Sequence, residues 1–432
     1  MIEGLTRRQA RRVIEVVGSS GQPPEWGFQF FSAGLDPYLE VLEEDYLRSL
    51  VREGGSSFKV VVGTYGGGKT HFLYSVRELA WKHGYLVSYC PLSPNDSPFY
   101  KLEKVYRSIV ANLMRPLSPD ELLAGTEKGM APFLKAVHHD LQEGLAADGL
   151  SDEQIPDRLH AIAADSTNDL ENPNFAKAVR VALDALVEGR RETFENAVQY
   201  LQADGYDRAV HGAHGILHAV ERGQAFSMLR SLVAWIRALN FNGLVILFDE
   251  VEQVGSMLSR QKELMLSNLR EMIDQCGSAS FANVMVFYAI PNEHFLTEGR
   301  SPAYEALRQR IQTIFDFTNP TGVKILLDRL GRDSRALMIE IGARLAEVYQ
   351  TAYDCEFPLD LKTKVVQVLA DAVKERAFGD IGYKRLFVQA MVRALHTLRA
   401  VRGTDVDEGF AMRMIEGPGV DPQGIPGGGD DA

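Results

Sequence analysis

The sequence predicts an α/β fold: a parallel sheet, a large helical insertion within it, and a C-terminal helical lid. Three observations predict it. Short apolar runs, "SSFKVVV", "LVILF" and "VMVFYAI", alternate with helical stretches, as strands joined by crossovers do. A glycine-dense loop, "GTYGGGKT", separates the first of these strands from a helix. From about residue 321 the periodicity is helical only.

At 432 residues, 45% hydrophobic and 24% charged, the chain reads as a globular protein of two or three structural units. Its net charge of −12 counts against a surface coated for nucleic acid, but leaves room for a local basic groove. No apolar run reaches the ~20 residues that span a bilayer. The start, "MIEGLTRRQARRVIEVV", has no signal core, so a cytoplasmic location without membrane contact is expected. Cys90, Cys276 and Cys355 are odd in number and scattered, which argues against a disulfide framework and against a cysteine metal site.

The elements follow in order. Residues 6–17 have helical spacing, and "GQPPEWGFQFF" is a Pro- and aromatic-rich loop. Phe28, Phe31 and Leu35 are candidates to cover an adenine, or are ordinary core residues. A helix begins at Asp36-Pro37 and stops at Gly54. Residues 56–62 form a buried strand, and "KTHFLYSVRELAWKHG" a helix with Phe72, Val76, Leu79 and Ala80 on one face. Between them, Gly63-Thr64-Tyr65-Gly66-Gly67-Gly68-Lys69-Thr70 satisfies G-x-x-x-x-G-K-[ST] at every fixed position. Several backbone N–H groups must converge on a phosphate chain, and residues without a Cβ allow that approach. The following helix N-terminus adds its positive dipole end. Lys69 is placed to reach the β- and γ-phosphates of ATP, and Thr70 to bind Mg²⁺ through its hydroxyl. His71, next in the helix, is counted with this nucleotide-binding stretch.

Strand 85–90 and the amphipathic helix 101–114 come next. The following core strand arrives only at residue 244, so residues 118–220 read as a helical insertion, with one stripe formed by Phe175, Ala178, Val179, Ala182, Leu183 and Leu186. Because its helices carry their own apolar stripes, the insertion is expected to be removable without loss of nucleotide binding. His211, His214 and His218 have helical spacing, but two intervening glycines and the lack of a nearby cysteine argue against a metal. Strand 244–248 ends in Asp249-Glu250. Asp249 is expected to hold Mg²⁺ opposite Thr70, and Glu250 to polarise an attacking water. A kinase of small molecules needs no such carboxylate, so the pair favours an ATPase. Glu252 has no assigned role.

Residues 260–276 form a helix and 284–290 a strand followed by Pro291-Asn292. Asn292 could orient the attacking water, or simply sit in a Pro-Asn turn. Residues 301–320 give a helix and then a short strand, 313–317. The lid follows over 321–402, with helices at 335–353, 359–376 and 383–399. The remainder, 403–432, is a tail whose Gly-, Pro- and Asp-rich end, 417–432, is expected to be disordered. The nucleotide-binding domain is thus expected over 1–320.

Phosphate loop, Asp-Glu strand end, polar residue after the next strand, arginine-bearing helix and helical lid together resemble an AAA+ P-loop ATPase of the origin-recognition and initiator branch. The phrases "EGGSSFKVVVGTYGGGKTHFL", "VSYCPLSP", "KLEKVYRSIVANLM" and "LFDEVE" are more closely similar to the ATP-binding proteins of BREX phage-defence systems, of the BrxD-like kind. The resemblance implies that Asn292 is sensor 1 and that Arg310, or failing it Arg308, is an arginine finger. It further implies that Arg385 is sensor 2, with Lys384 and Arg376 as competitors because Arg385 stands further from Gly379-Asp380 than is usual. It also implies a homo-oligomer, DNA as a partner, and a co-encoded helicase. Initiator relatives usually end in a winged-helix domain, but residues 400–432 are too few for one. Any DNA contact would then come from the core, from the insertion or through a partner. Two functions compete: a DNA-associated ATPase motor or loader in phage defence, and a signalling NTPase switch that touches no DNA.

Overall fold

The computed structural model describes residues 2–250, 257–278, 280–297, 302–329, 333–376, 382–401 and 403–417. Glu252, Gly379, Asp380 and residues 418–432 of the expected tail lie outside them. The chain divides into two compact units, one of Asp36–Thr64 and Phe72–Asp328, the other of Met1–Leu35, Tyr65–His71 and Arg329–Ala432.

The larger unit is built on a sheet of six strands: β1 (Ser56–Val62), β2 (Leu86–Pro91), β3 (Leu113–Met114), β4 (Leu244–Asp249), β5 (Val284–Ile290) and β6 (Lys324–Leu326), in the order β3-β2-β4-β5-β1-β6. Only the β2–β3 pairing is antiparallel. β4 and β5 are buried along their whole length, which is why both read as unbroken apolar runs. β5 lies between β1 and β4, with Val62 opposite Ile290 and Phe248 opposite Tyr288. The carboxyl ends of β1 and β4 therefore share one edge of the sheet, two strand spacings or about 10 Å apart.

The insertion is helical: Pro119–Ala124, Met130–Ala147, Ile155–Asp165, Pro173–Val187, Arg191–Leu201 and Arg208–Gly212. It is not self-contained. The Tyr106 hydroxyl, on the helix Leu102–Ala111, donates to Leu201 O at 2.9 Å. The amide of Asn172 donates to Ser231 Oγ at 2.8 Å, and Phe133 meets Trp235 edge to face at 5.6 Å. Most of its buried apolar side chains belong to the same hydrophobic cluster as residues of β1, β4 and β5. Amphipathic stripes show that each helix buries a face, but not what the face buries against, and here part of it covers the α/β core.

The last strand also differs from expectation. Residue Ile314 forms only an isolated bridge to Lys324, and β6 begins at Lys324. Asp316 Oδ1 accepts from the amides of Thr318 and Asn319 at 2.7 and 2.9 Å, which reverses the chain before it can extend along β1. Lys59, on β1 and 1% exposed, holds this turn. Its ammonium donates to Gly322 O at 2.6 Å and Tyr46 Oη at 2.7 Å, and lies 4.2 and 4.6 Å from the ring centres of Tyr46 and Phe315. Burial pulls its pKa down to about 7.

In the smaller unit the first helix, Arg7–Ser20, packs against Ser334–Tyr353 and Tyr383–Ala400. Thr6 and Gln9 form a capping box at its start, and buried Ala10, Val13, Ile14 and Val17 give the i, i+3, i+4, i+7 stripe. This helix therefore belongs to the smaller unit and not, as expected from its place in the sequence, to the sheet domain. Leu359–Arg376 completes the bundle with Glu408–Glu416, a helix inside the stretch read as tail. Asp407 caps it, its Oδ1 accepting from Phe410 N at 2.7 Å. Among the described residues, no helix is long and apolar enough to cross a membrane.

Candidate functional site

One group of candidate residues lies at the carboxyl edge of the sheet in the larger unit. Gly63 N donates to Ile290 O at 3.1 Å, so the glycine stretch leaves β1 still laddered to β5. Asp249, at the end of β4, is 1% exposed. The Tyr89 hydroxyl donates to its Oδ2 at 2.7 Å, and the amide of Glu250 donates to its Oδ1 at 2.9 Å. Burial raises the Tyr89 phenol, with the Asp249 charge adding, so Tyr89 remains a donor. Glu250 has φ +57, a left-handed conformation that costs a side-chain-bearing residue about 1–2 kcal/mol. Such strain is characteristic of functional positions.

Sequence reasoning missed Tyr89. β2 pairs with β4 so that Pro91 lies opposite Asp249, which brings Tyr89 within reach of it. Nothing local to "YLVSYC" encodes that pairing. Asn292, at the end of β5, is exposed, and its Oδ1 accepts from Phe295 N at 3.0 Å, capping the short helix His294–Thr297. Next to it, Glu293 pairs with Lys324. Arg310, on Pro302–Ile311, makes a bidentate pair with Asp274 (Nε to Oδ1 2.5 Å, Nη2 to Oδ2 3.1 Å). Arg308 pairs with Glu305 at 3.2 Å, and both of these side chains are exposed. His211 is buried, with Nδ1 2.9 Å from Asp207 O and Nε2 3.1 Å from Asn196 O. Those contacts give it a structural role, apart from His214 and His218.

A separate group is the rest of the glycine stretch, in the smaller unit. Gly66 and Gly68 have φ +71 and +101, the left-handed values that glycine alone adopts freely. A Cβ on Gly66 would lie 2.8 Å from Gly382 Cα. Lys69 and Thr70 open the helix Lys69–Lys82, and Lys69 is only 6% exposed. His71 Nε2 lies 2.5 Å from Ser32 Oγ, and its ring meets Phe28 and Phe31 edge-on at 5.2 and 5.8 Å. Burial, with the Lys384 charge, pushes its pKa down to about 4, so the imidazole is neutral. Leu35, the third residue considered for an adenine, is buried as well.

The three candidate cations of the C-terminal helices separate. Lys384 donates from Nζ to Gly67 O at 2.9 Å. Arg385 donates to Ser20 O at 2.6 Å and to the Tyr65 hydroxyl at 2.7 Å, its guanidinium 5.5 Å from the Tyr65 ring centre. Arg376 pairs with Glu416 at 3.1 Å. The sequence pointed first to Arg385; in the structure both Arg385 and Lys384 touch the glycine stretch, Arg385 at the Tyr65 side chain and Lys384 at the Gly67 carbonyl, and Arg385 also closes the C-terminus of the first helix. Adjacent residues on a helix point about 100° apart, and sequence spacing alone could not choose between them.

These residues fit a nucleotide. Two left-handed glycines, a closely approached backbone and a helix N-terminus make a cradle for anionic oxygens. The hydroxyl of Thr70 and the buried carboxylate of Asp249 are oxygen donors of the kind a hard divalent cation takes. Comparison with known proteins agrees with the nucleotide. No curated protein and no solved structure matches the chain. The family model of the BREX system ATP-binding proteins BrxC/D matches residues 5–413. That match spans nearly the whole sequence, and the chain belongs to the BrxC/D family of BREX ATP-binding proteins.

Proposed function

We propose that this ATP-binding protein is a Mg²⁺-dependent ATPase of the AAA+ type, acting as a DNA-associated motor, loader or switch in bacterial phage defence. The observation that carries hydrolysis is the end of β4: a buried Asp249 held by Tyr89, followed by Glu250 in a strained left-handed conformation. The left-handed backbone at Glu250 is the strained feature that marks this strand end as functional. In this reading Gly63 to Thr70 cradle the phosphates and Lys69 neutralises charge at the β- and γ-positions. His71 supports the loop as a neutral group. Thr70 and Asp249 would hold Mg²⁺, which would supply positive charge to offset the charge developing on the phosphate. Glu250 accepts a proton from the attacking water. Asn292 orients that water from the end of β5, the strand between β1 and β4.

Lys384 supports the loop from the lid by holding Gly67 O, and Arg385 supports it through Tyr65. Arg310 acts in trans, exchanging Asp274 for a neighbouring molecule's phosphate in a homo-oligomer; Arg308 is the alternative. The protein works in the cytoplasm, where a co-encoded helicase or another defence protein is its partner. The second reading, a signalling switch that never touches DNA, draws on the −12 net charge. Phosphate release from ATP, with and without Mg²⁺ and with and without single-stranded and duplex DNA, tests both. Mg²⁺-dependent release that DNA stimulates supports the first reading. Release indifferent to DNA supports the second, and no release under any condition contradicts both.

A further inference from the structure

We propose that the groove between helices Arg7–Ser20 and Tyr383–Ala400 binds the sugar-phosphate backbone of DNA. The chain as a whole carries −12, yet residues 7–20 hold Arg7, Arg8, Arg11 and Arg12 against the single carboxylate Glu15. Residues 383–400 hold Lys384, Arg385, Arg393 and Arg399 with no carboxylate at all. These two basic helices lie side by side, with Gly18 so close to Val392 that a Cβ there would come within 2.8 Å of it. Acidic surface elsewhere and basic surface here is a local field that attracts a polyanion.

The place is shaped as well as charged. A groove of about 480 Å³ runs between the helices, lined among others by Arg11, Glu15, Ser19, Tyr353, Arg393 and His396. The guanidinium groups of Arg11 and Arg399 lie 5.1 and 3.9 Å from the Tyr353 ring centre. Stacking on a ring fixes the plane of a guanidinium while its edge N–H donors stay available, and that fork matches phosphate. Among the described residues, no carboxylate pairs with Arg8, Arg11, Arg12 or Arg399. Arg7 is 3.7 Å from Asp354, but both side chains are largely exposed and such a pair contributes little. Arg7 and Arg11, like Arg8 and Arg12, are one helical turn apart, about 6 Å along the axis. Repeated arginine along an exposed helix, beside an aromatic ring, favours a nucleic-acid strand over an acidic protein surface.

The inference rests on the DNA-acting reading for its purpose, and it supplies a contact surface that neither the insertion nor a winged helix need provide. The test is fluorescence anisotropy of a labelled single strand and of its duplex, titrated with the full chain across a salt series. The triple variant Arg11→Gln, Arg12→Gln, Arg399→Gln should bind at least about tenfold more weakly, with ATP affinity unchanged. Its salt slope should flatten by about 0.7 per lost phosphate contact for the single strand, and about 0.9 for the duplex. The corresponding triple lysine variant should recover most of the affinity, which separates charge from packing should the glutamine variant melt early. Unchanged affinity and slope in the glutamine variant would overturn this surface while leaving the DNA-acting reading standing. No binding by the parent protein at low salt would overturn both. Displacement of the strand by polyglutamate at equal charge would overturn the nucleic acid in favour of an acidic protein partner.

Discussion

Alanine at Gly66 perturbs the glycine stretch in two ways that can be measured apart. The first is conformational: φ +71 costs a residue with a Cβ about 1–2 kcal/mol. The second is steric. The new Cβ would lie 2.8 Å from Gly382 Cα, where an ordinary carbon contact is about 3.5–4.0 Å, so one backbone must move by roughly 1 Å. Gly382 has little room to yield, since its own Cβ position is 3.3 Å from Tyr65 O. In the free protein the loop can relax to another conformation; nucleotide binding must pull it back, so the cost falls on affinity. Gly54 is the control, with φ +101 and nothing within 4 Å of its Cβ position. Gly54→Ala should lose about 1–2 kcal/mol of stability and keep parental ATP affinity. Gly66→Ala should weaken ATP binding about 10- to 100-fold, each factor of ten corresponding to about 1.4 kcal/mol. Equilibrium binding of a fluorescent ATP analogue and urea unfolding read the two quantities. If the two variants have the same ATP affinity, the close approach to Gly382 does not shape the loop and the reasoning fails.

Other perturbations reach other parts of the account. Tyr89→Phe leaves the buried Asp249 without its phenolic donor and should cost about 1.5–3 kcal/mol in urea unfolding, as for a hydrogen bond to a charged group; an unchanged midpoint would show that Asp249 does not depend on it. Arg310→Ala should bind ATP normally and turn it over slowly, and mixing it with Lys69→Ala should restore activity; rescue of Arg308→Ala instead would transfer the trans-acting role, and rescue of neither would contradict it. Burial holds the folded-state pKa of Lys59 near about 7, below the ~10.4 of an unfolded lysine. Between those values the unfolded chain binds the extra proton, so this residue makes stability rise with pH above 7, and Lys59→Met should remove that slope. Deleting residues 118–220 should uncover Trp235 and Tyr106 and lower the melting temperature sharply; a soluble deletion of parental stability would show that the shared core does not matter.

Much of this was legible in residue order, for physical reasons. A strand buried on both faces reads as a near-continuous apolar run, so β4, β5 and the Val60–Val62 end of β1 announce themselves. A turn that needs left-handed backbone needs glycine, so the stretch from Gly63 to Gly68 does too. What was not legible depends on pairing across distance. Tyr89 reaches Asp249 only because β2 lies against β4, a choice made 160 residues apart. The first helix shows an apolar stripe but not that its partners are Ser334–Tyr353 and Tyr383–Ala400. The strand expected at 313–317 had acceptable composition, but the side chain of Asp316 turns the chain first. Arg385 and Lys384 differ by one position, and only the packed helix decides which reaches Gly67.

The central claim is that Glu250 activates water at an ATP site whose binding does not depend on it. The most direct measurement is single-turnover phosphate release by Glu250→Gln under saturating ATP, with ATP affinity recorded on the same preparation. The account predicts parental affinity and release slowed about 10²- to 10⁴-fold, the usual effect of losing one positioned acid–base group. Phosphate release at the parental rate would contradict it.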